Sequence, residues 1–246
     1  YLYSKIELGS VPSEKSKPCH TESTFSVYLM QTAKKIFVKI RLIVYNPQKF
    51  SQSRKSMHKI LEKRQLSADV FYMKVEAVNI ARNRKPGQFV IVQIDIDYGE
   101  RIPLTIADAN AEEGWIAIVF QTVGATTLRL STLKEGDEIA AVLGPLGHPT
   151  HIEKKGTVIC VGGGIGVAPL HPIVQGHKAA GNKVIVIIGA RTKELIIFEK
   201  EMRDLADELI IMTDDGSYGK KGLVTEPLKE KCEAGGIAEV VAIGPP

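Results

Sequence analysis

The chain has 246 residues, 44% hydrophobic and 24% charged, with a formal net charge of +4 and a mean hydropathy near zero. That length suffices for two compact domains, and that composition is far from disordered or membrane-embedded chains, as no apolar run is long enough to span a bilayer. Residues 1–56 hold ten Lys/Arg against three acids, Glu7, Glu14 and Glu22, so the remainder is slightly acidic, which argues against a nucleic-acid binder with a basic face.

Residues 1–56 show no long hydrophobic period, only short apolar bursts at 25–30 and 42–45 among Ser, Lys and Gln. Patterning begins at Met57, which makes Met57 the expected natural start and 1–56 upstream translation or an appended leader. A basic organelle-targeting peptide is the alternative. From Met57 to about Thr150 the signals are of strands: alternation over 70–78, apolar runs at 89–96 and 115–120, and a last strand at 138–143. Turn signals at Lys85-Pro86-Gly87, Tyr98-Gly99-Glu100 and Glu112-Glu113-Gly114 separate them, and a helix is expected at 126–133. Short strands at this spacing predict an antiparallel β-barrel over 57–150.

After Gly156 the rhythm changes to strand (157–161), glycine loop (162–166), helix (to 180) and strand (184–188). A helix at 199–209, a strand at 210–213, a helix at 225–232 and a strand at 239–243 follow. This alternation predicts a Rossmann-like parallel α/β sheet over 151–246. Cys19, Cys160 and Cys232 match neither a CxxC pair nor a disulfide framework, so none is assigned to a metal and the cytoplasm is the expected compartment. Cys160, inside an apolar strand, reads as a small buried hydrophobe.

Three patches carry chemistry. Val161-Gly162-Gly163-Gly164-Ile165-Gly166 follows a strand and opens a helix, so backbone N–H groups can face a phosphate where side chains are missing; a merely tight strand-helix turn is the alternative. Pro169 fits the first helical turn. Val167 stands where a strict GxGxxG has its last glycine, and the second strand ends in Gly189-Ala190-Arg191 instead of an acidic ribose ligand, which leaves NAD against NADP open. In Arg101-Ile102-Pro103-Leu104-Thr105-Ile106, alternation puts Arg101, Pro103 and Thr105 on one side of a strand, though an edge strand with a solvated arginine has the same pattern. Thr122-Val123-Gly124-Ala125-Thr126-Thr127 places a glycine and two hydroxyls at a helix start, where an N-cap accounts for one threonine.

Taken in this order with Gly144-Pro145-Leu146-Gly147, these patches resemble the FAD/NAD-binding electron-transfer subunits of the ferredoxin reductase superfamily, from Met57 to the end of the chain. The resemblance is to the branch holding the small subunit of NADH-dependent ferredoxin-NADP reductase, also known as a sulfide dehydrogenase component, and the dihydroorotate dehydrogenase electron-transfer subunit. It implies a Greek-key FAD-binding barrel followed by a nucleotide-binding α/β domain. It implies that Arg101 pairs with the FAD pyrophosphate and that Ile102, Pro103, Leu104 and Thr105 line the flavin, Thr105 bonding near N5 as the residue next to the chemistry. Gln121, Thr122, Gly124, Thr126 and Thr127 would complete the FAD site. Gly162, Gly163, Gly164 and Gly166 would face the phosphates of NAD(P), with Asp215, Gly216, Ser217 and Gly219 along the same cleft and Gly244-Pro245 beside the nicotinamide.

The family also carries a C-terminal [2Fe-2S] segment, which has no counterpart among these residues, so the sequence reads as a fragment. The implied partners are a larger iron-sulfur flavoprotein subunit and ferredoxin, with no nucleic acid and no membrane. The implied activity is electron transfer between NAD(P)H and an iron-sulfur partner through FAD. A dihydroorotate dehydrogenase subunit, a hydrogenase diaphorase and a non-catalytic flavin-bearing assembly subunit are the alternatives. No protein acid, base or nucleophile is needed, and His148, His151, His171 and His177 are expected at the surface or in caps.

Overall fold

The computed structural model describes residues 57–96 and 99–245, so the readings of 1–56, Cys19 and the Tyr98 turn lie outside the described residues. Seven antiparallel strands come first: β1 (His58–Gln65), β2 (Val70–Glu76), β3 (Phe89–Gln93), β4 (Arg101–Asn110), β5 (Trp115–Gln121), β6 (Glu138–Ile139) and β7 (Ala141–Leu146). They pair in the order β6-β1-β2-β5-β4-β3-β7. The two edge strands β6 and β7 are separated in sequence by Ala140 alone, so the sheet must curl until its edges adjoin, giving a nearly closed barrel.

Period-two alternation sorts these strands' side chains between two cores. Met73 and Val75 of β2 and Ile116, Ile118 and Phe120 of β5 fill the barrel interior with Ile60, Val90 and Val92. The neighbours Val70, Tyr72, Ala117 and Val119 point the other way, into a cluster shared with the second sheet. Each large side chain fully buried here, such as Phe120, contributes about 2–3 kcal/mol.

The second sheet is parallel, in the order β11-β10-β9-β8-β12, built from β8 (Thr157–Gly163), β9 (Lys183–Ala190), β10 (Glu208–Thr213), β11 (Lys220–Lys221) and β12 (Ile237–Ile243). Five α-helices and two 3₁₀ turns, Gly164–Gly166 and Lys193–Leu195, complete the described elements, the helices being α1 (Val78–Asn83), α2 (Ala125–Thr132), α3 (Val167–Ala179), α4 (Glu199–Leu205) and α5 (Thr225–Glu233). α3 fills the space between the two sheets, packing Val167, Ala168, Leu170 and Val174 against Val158, Cys160, Val186 and Ile188. The opposite face of the parallel sheet buries Ile159, Ile187 and Met212 under Val224 and Leu228.

The structure departs from the sequence-based expectations at several points. β1, α1 and β11 were not anticipated. The helix expected over 199–209 ends at Leu205, because the Asp207 carboxylate accepts the Val184 N–H at 2.7 Å and binds Lys178 at 2.8 Å. That anchor starts β10 at Glu208, opposite Ile185. The strand expected over 138–143 is broken at Ala140, where the chain passes from one sheet edge to the other. His171 and His177 are neither surface nor capping residues: both lie on α3 and are 3% and 0% exposed.

Candidate functional site

All five strands of the second sheet run the same way, so the loops after β8, β9, β10 and β12 emerge at one edge. The chain winds from β8 through β9 and β10 to β11, then crosses to β12 on the other side of β8. The crevice between β8 and β12 is thus the topological switch point, where open α/β sheets bind ligands. Two glycine segments meet there. A β-carbon on Gly244 would stand 3.3 Å from the Gly163 Cα, and one on Gly163 would stand 3.5 Å from Pro245 Cδ.

The glycines of the 162–166 segment have separate structural roles. Gly162 admits Val167, whose Cγ2 would lie 2.9 Å from a β-carbon there, and Gly166 admits the Ile243 carbonyl. Val167, the departure from the strict fingerprint, is 2% exposed and packs inward. Gly164 opens the Gly164–Gly166 3₁₀ turn at φ +55°, with nothing within 4 Å of its β-position. Open space beside a left-handed glycine, one turn before the N-terminus of the thirteen-residue α3, fits an approaching phosphate.

The loop after β10 is closed on itself. Asp215 accepts the Ser217 N–H at 2.9 Å and its hydroxyl at 2.6 Å, bonds that hold the carboxyl below its usual range, and Gly216 takes φ +77° between them. Ser217 Oγ in turn accepts the Lys193 N–H at 2.9 Å, tying this loop to the one after β9. Asp215 and Gly216 therefore shape the loop at the sheet edge, and the Asp215 carboxylate is engaged in its own turn.

On the barrel, Arg101 and Pro103 of β4 are exposed, while Ile102 and Leu104 pack on the interior. The Arg101 Nε donates to Gln93 Oε1 at 3.1 Å across the β3–β4 pair, and Thr105 lies half-buried opposite Phe89. Gly124 precedes α2 with open space at its β-position, and its N–H donates to Thr127 Oγ1 at 3.1 Å. The Thr126 hydroxyl donates to Glu100, next to Arg101, which draws the start of α2 to the start of β4. Gln121 donates to the Asp69 carboxylate at 2.5 Å and the Thr122 N–H to the Asp69 carbonyl at 2.9 Å, bracing the β5–α2 connection. The exposed guanidinium, the open glycine and the helix start fit an anionic group.

The two patches are linked through α3. His171 Nδ1–H donates to the Ala107 carbonyl at 3.0 Å, and Gln175, one turn later, donates to Asp108 Oδ1 at 3.1 Å. Helix and strand thus run in the same direction. Sequence reasoning missed His171, Gln175 and Asp108; the spacing of His171 and Gln175, four apart on one helix face, was the available signal.

Among the described residues no group of three or more His, Cys, Asp or Glu is placed to hold a metal ion, and no helix is long and apolar enough to cross a membrane.

No protein-family model matches the chain. It is 44% identical over 173 residues to a Thermotoga maritima protein named as a homolog of the electron transfer subunit of dihydroorotate dehydrogenase B (NAD(+)), covering 70% of this chain and 61% of that relative. The chain thus spans about three fifths of that relative's length. Among solved structures it superposes with a TM-score of 0.73 on NADH-dependent reduced ferredoxin-NADP oxidoreductase, studied for flavin-based electron bifurcation, at 39% identity over 78% of this chain and 69% of that one. The flavohaem-like FAD/NAD-binding domain of a Vibrio cholerae nitric oxide dioxygenase shares the fold at a TM-score of 0.58 and 16% identity, covering 78% of this chain and 100% of that one. With the barrel, the parallel sheet and the paired glycine loops, the 39% identity to that oxidoreductase over 69% of its length establishes that the chain belongs to the ferredoxin reductase-like family.

Proposed function

We propose that this chain binds FAD on the barrel and NAD(P)H at the β8–β12 crevice, and passes electrons from the nicotinamide toward an iron-sulfur partner. The observation that carries this is the meeting of Gly163 with Gly244-Pro245 at the switch point, from which α3 starts and is fastened through His171 to Ala107, two residues past Thr105. Arg101 neutralises the FAD pyrophosphate, with the open Gly124 and the first turn of α2 completing its seat. Ile102, Pro103, Leu104 and Thr105 form the wall along the flavin, Thr105 supplying a hydroxyl near the reacting edge. Gln121, Thr122, Thr126 and Thr127 hold that wall in place through Asp69, Glu100 and Gly124. Gly164 and the N-terminus of α3 receive the nucleotide phosphates, Gly162 and Gly166 keep turn and sheet close, and Asp215 and Gly216 shape the outer lip.

When bound, the flavin supplies the conversion of two-electron hydride chemistry into one-electron transfer. The protein's own share is to orient the rings and exclude water, without a side-chain acid or base. The division into a 57–150 flavin domain and a 151–246 nucleotide domain belongs to this proposal, as do a cytoplasmic location, a larger partner subunit and ferredoxin as electron partner. A second reading, an electron-transfer subunit of a dihydroorotate dehydrogenase, is favoured by the Thermotoga relative's name and uses the same site.

The test is an anaerobic titration of FAD-reconstituted protein with NADH and separately with NADPH, following the oxidised-flavin absorbance. Bleaching by one nucleotide is the expected result and identifies the donor. Protein that takes up no flavin, or is bleached by neither nucleotide, overturns the proposal.

A further inference from the structure

We propose that His171 is a positioning residue that sets the spacing between the Arg101–Thr105 stretch of β4 and the Gly164–Gly166 turn; its consequence for hydride transfer rests on the functional reading above. The pairing of β4 with β5 slips by one residue: Ile106 faces Ile118 and Asp108 faces Ala117, leaving Ala107 as the extra residue of a β-bulge. Ala107 is 1% exposed, and a buried carbonyl that leaves the ladder needs another partner. His171 supplies it, donating from Nδ1 at 3.0 Å.

The imidazole is itself held. Phe198 meets it edge-on at 5.2 Å between ring centroids and packs on Tyr72 of β2 at 6.2 Å. Phe198 is the one non-glycine residue with positive φ, +58°, among the described residues, and it is 6% exposed, a left-handed conformation kept by its packing. One turn along α3, Gln175 binds Asp108, whose Oδ1 also lies 3.9 Å from the Arg84 guanidinium. The bulge is thus fastened to the helix at two successive residues. Thr105 lies two residues upstream on the strand and Gly166 five upstream of His171, so the position of each depends on this joint. His171 acts through Ala107 and needs no contact with either cofactor.

The test compares His171→Leu, which removes the donor, with His171→Asn, whose amide nitrogen branches from Cγ as Nδ1 does. Hydrogen exchange across residues 105–109 is measured in the full chain without flavin. Single-turnover flavin reduction against the concentration of the nucleotide that bleaches the wild type, and the long-wavelength charge-transfer band with its oxidised form, are then measured in the reconstituted protein. The leucine variant is expected to exchange faster at 106–109, to lose about ten- to hundredfold in limiting rate with the half-saturating nucleotide concentration unchanged, and to weaken the band. The asparagine variant is expected to restore all three.

Wild-type exchange and rate in His171→Leu overturn the proposal, as does equal loss in both variants. Should His171→Leu fail to fold, Gln175→Ala removes the neighbouring fastening and is expected to give the same changes severalfold smaller; none at all overturns the joint. Wild-type protein that binds flavin but is reduced by neither nucleotide overturns the functional reading and the hydride-transfer consequence, while the exchange comparison independently decides the joint.

Discussion

Gly166 and Ile243 meet backbone to backbone: a β-carbon on the glycine would come under 3.0 Å from the Ile243 carbonyl oxygen. Gly164, in the same turn, has nothing within 4 Å of its β-position. Alanine at these two sites therefore separates packing from binding. Gly166→Ala must push the turn away from β12 and is expected to cost about 2–3 kcal/mol, read as a lower denaturant midpoint. Gly164→Ala is expected to cost about 1 kcal/mol through its positive φ and to keep the fold. Its methyl group enters the space proposed for a phosphate, so the concentration of the reducing nucleotide for half-maximal flavin reduction should rise about tenfold, equivalent to about 1.4 kcal/mol.

The buried His177 makes stability depend on pH. Asn182 Oδ1 accepts the Lys155 and Gly156 N–H groups at 2.7 and 3.0 Å, which fixes the amide so that its nitrogen donates to His177 Nδ1 at 3.2 Å. The ring proton then sits on Nε2, which is buried without a partner. Burial lowers the His177 pKa, with Glu239 opposing and Lys155 assisting. The unfolded chain therefore takes up the proton first, and the contribution of neutral His177 is present above the unfolded value of about 6.5 and declines as pH falls toward the folded one. Urea midpoints should drop between about pH 7 and pH 5, and His177→Gln should flatten that slope.

Asp108 gathers the Ala109 N–H at 2.9 Å, the Gln175 amide at 3.1 Å and the Arg84 guanidinium at 3.9 Å. Arg84 has a side chain 14% exposed, and burial lowers its pKa while Asp108 raises it. Asp108→Ala is expected to destabilise by about 2 kcal/mol, since it leaves a partly buried cation and a half-buried amide short of partners. In the Arg84→Met background the same substitution should cost less, which a double-mutant cycle by chemical denaturation measures.

Burial, with Glu239 adding, pushes the Cys160 thiol up to about 12. At pH 8 only about one molecule in 10⁴ carries the reactive thiolate. Iodoacetamide followed by peptide mapping should label the exposed Cys232 in native protein and Cys160 only after denaturant is added. Labelling of native Cys160 at the rate of Cys232 would contradict this placement.

The central parallel strands β8 and β9 were legible because strands buried on both faces become unbroken apolar runs, as at Val184, Ile185, Val186, Ile187 and Ile188. β1 was not, because Ile60 is its one buried residue and its polar side chains act through tertiary contacts. Lys63 reaches the Ser131 and Leu133 carbonyls, and Arg64 lies 4.2 Å from the centre of the Tyr72 ring. α1, six residues long, is too short to show a helical period. At the site, the glycine motif indicated where backbone approaches closely, but only the folded chain separates Gly162 and Gly166, which pack, from Gly164, which stays open. The bulge at Ala107 has no local signature, since the slip depends on which residues of β5 lie opposite.

The cluster shared by the two sheets has a mechanical consequence. Val70, Tyr72, Ala117 and Val119 from one side and Val158, Leu170, Val186 and Phe198 from the other occupy the same dry volume. A hinge needs a seam that water can enter cheaply, and here the seam is filled by interlocked side chains. Tilting one sheet against the other would wet both at once, so the pair moves and melts as a single frame. Movement is left to the short loops at the sheet edge, which lie outside this shared core.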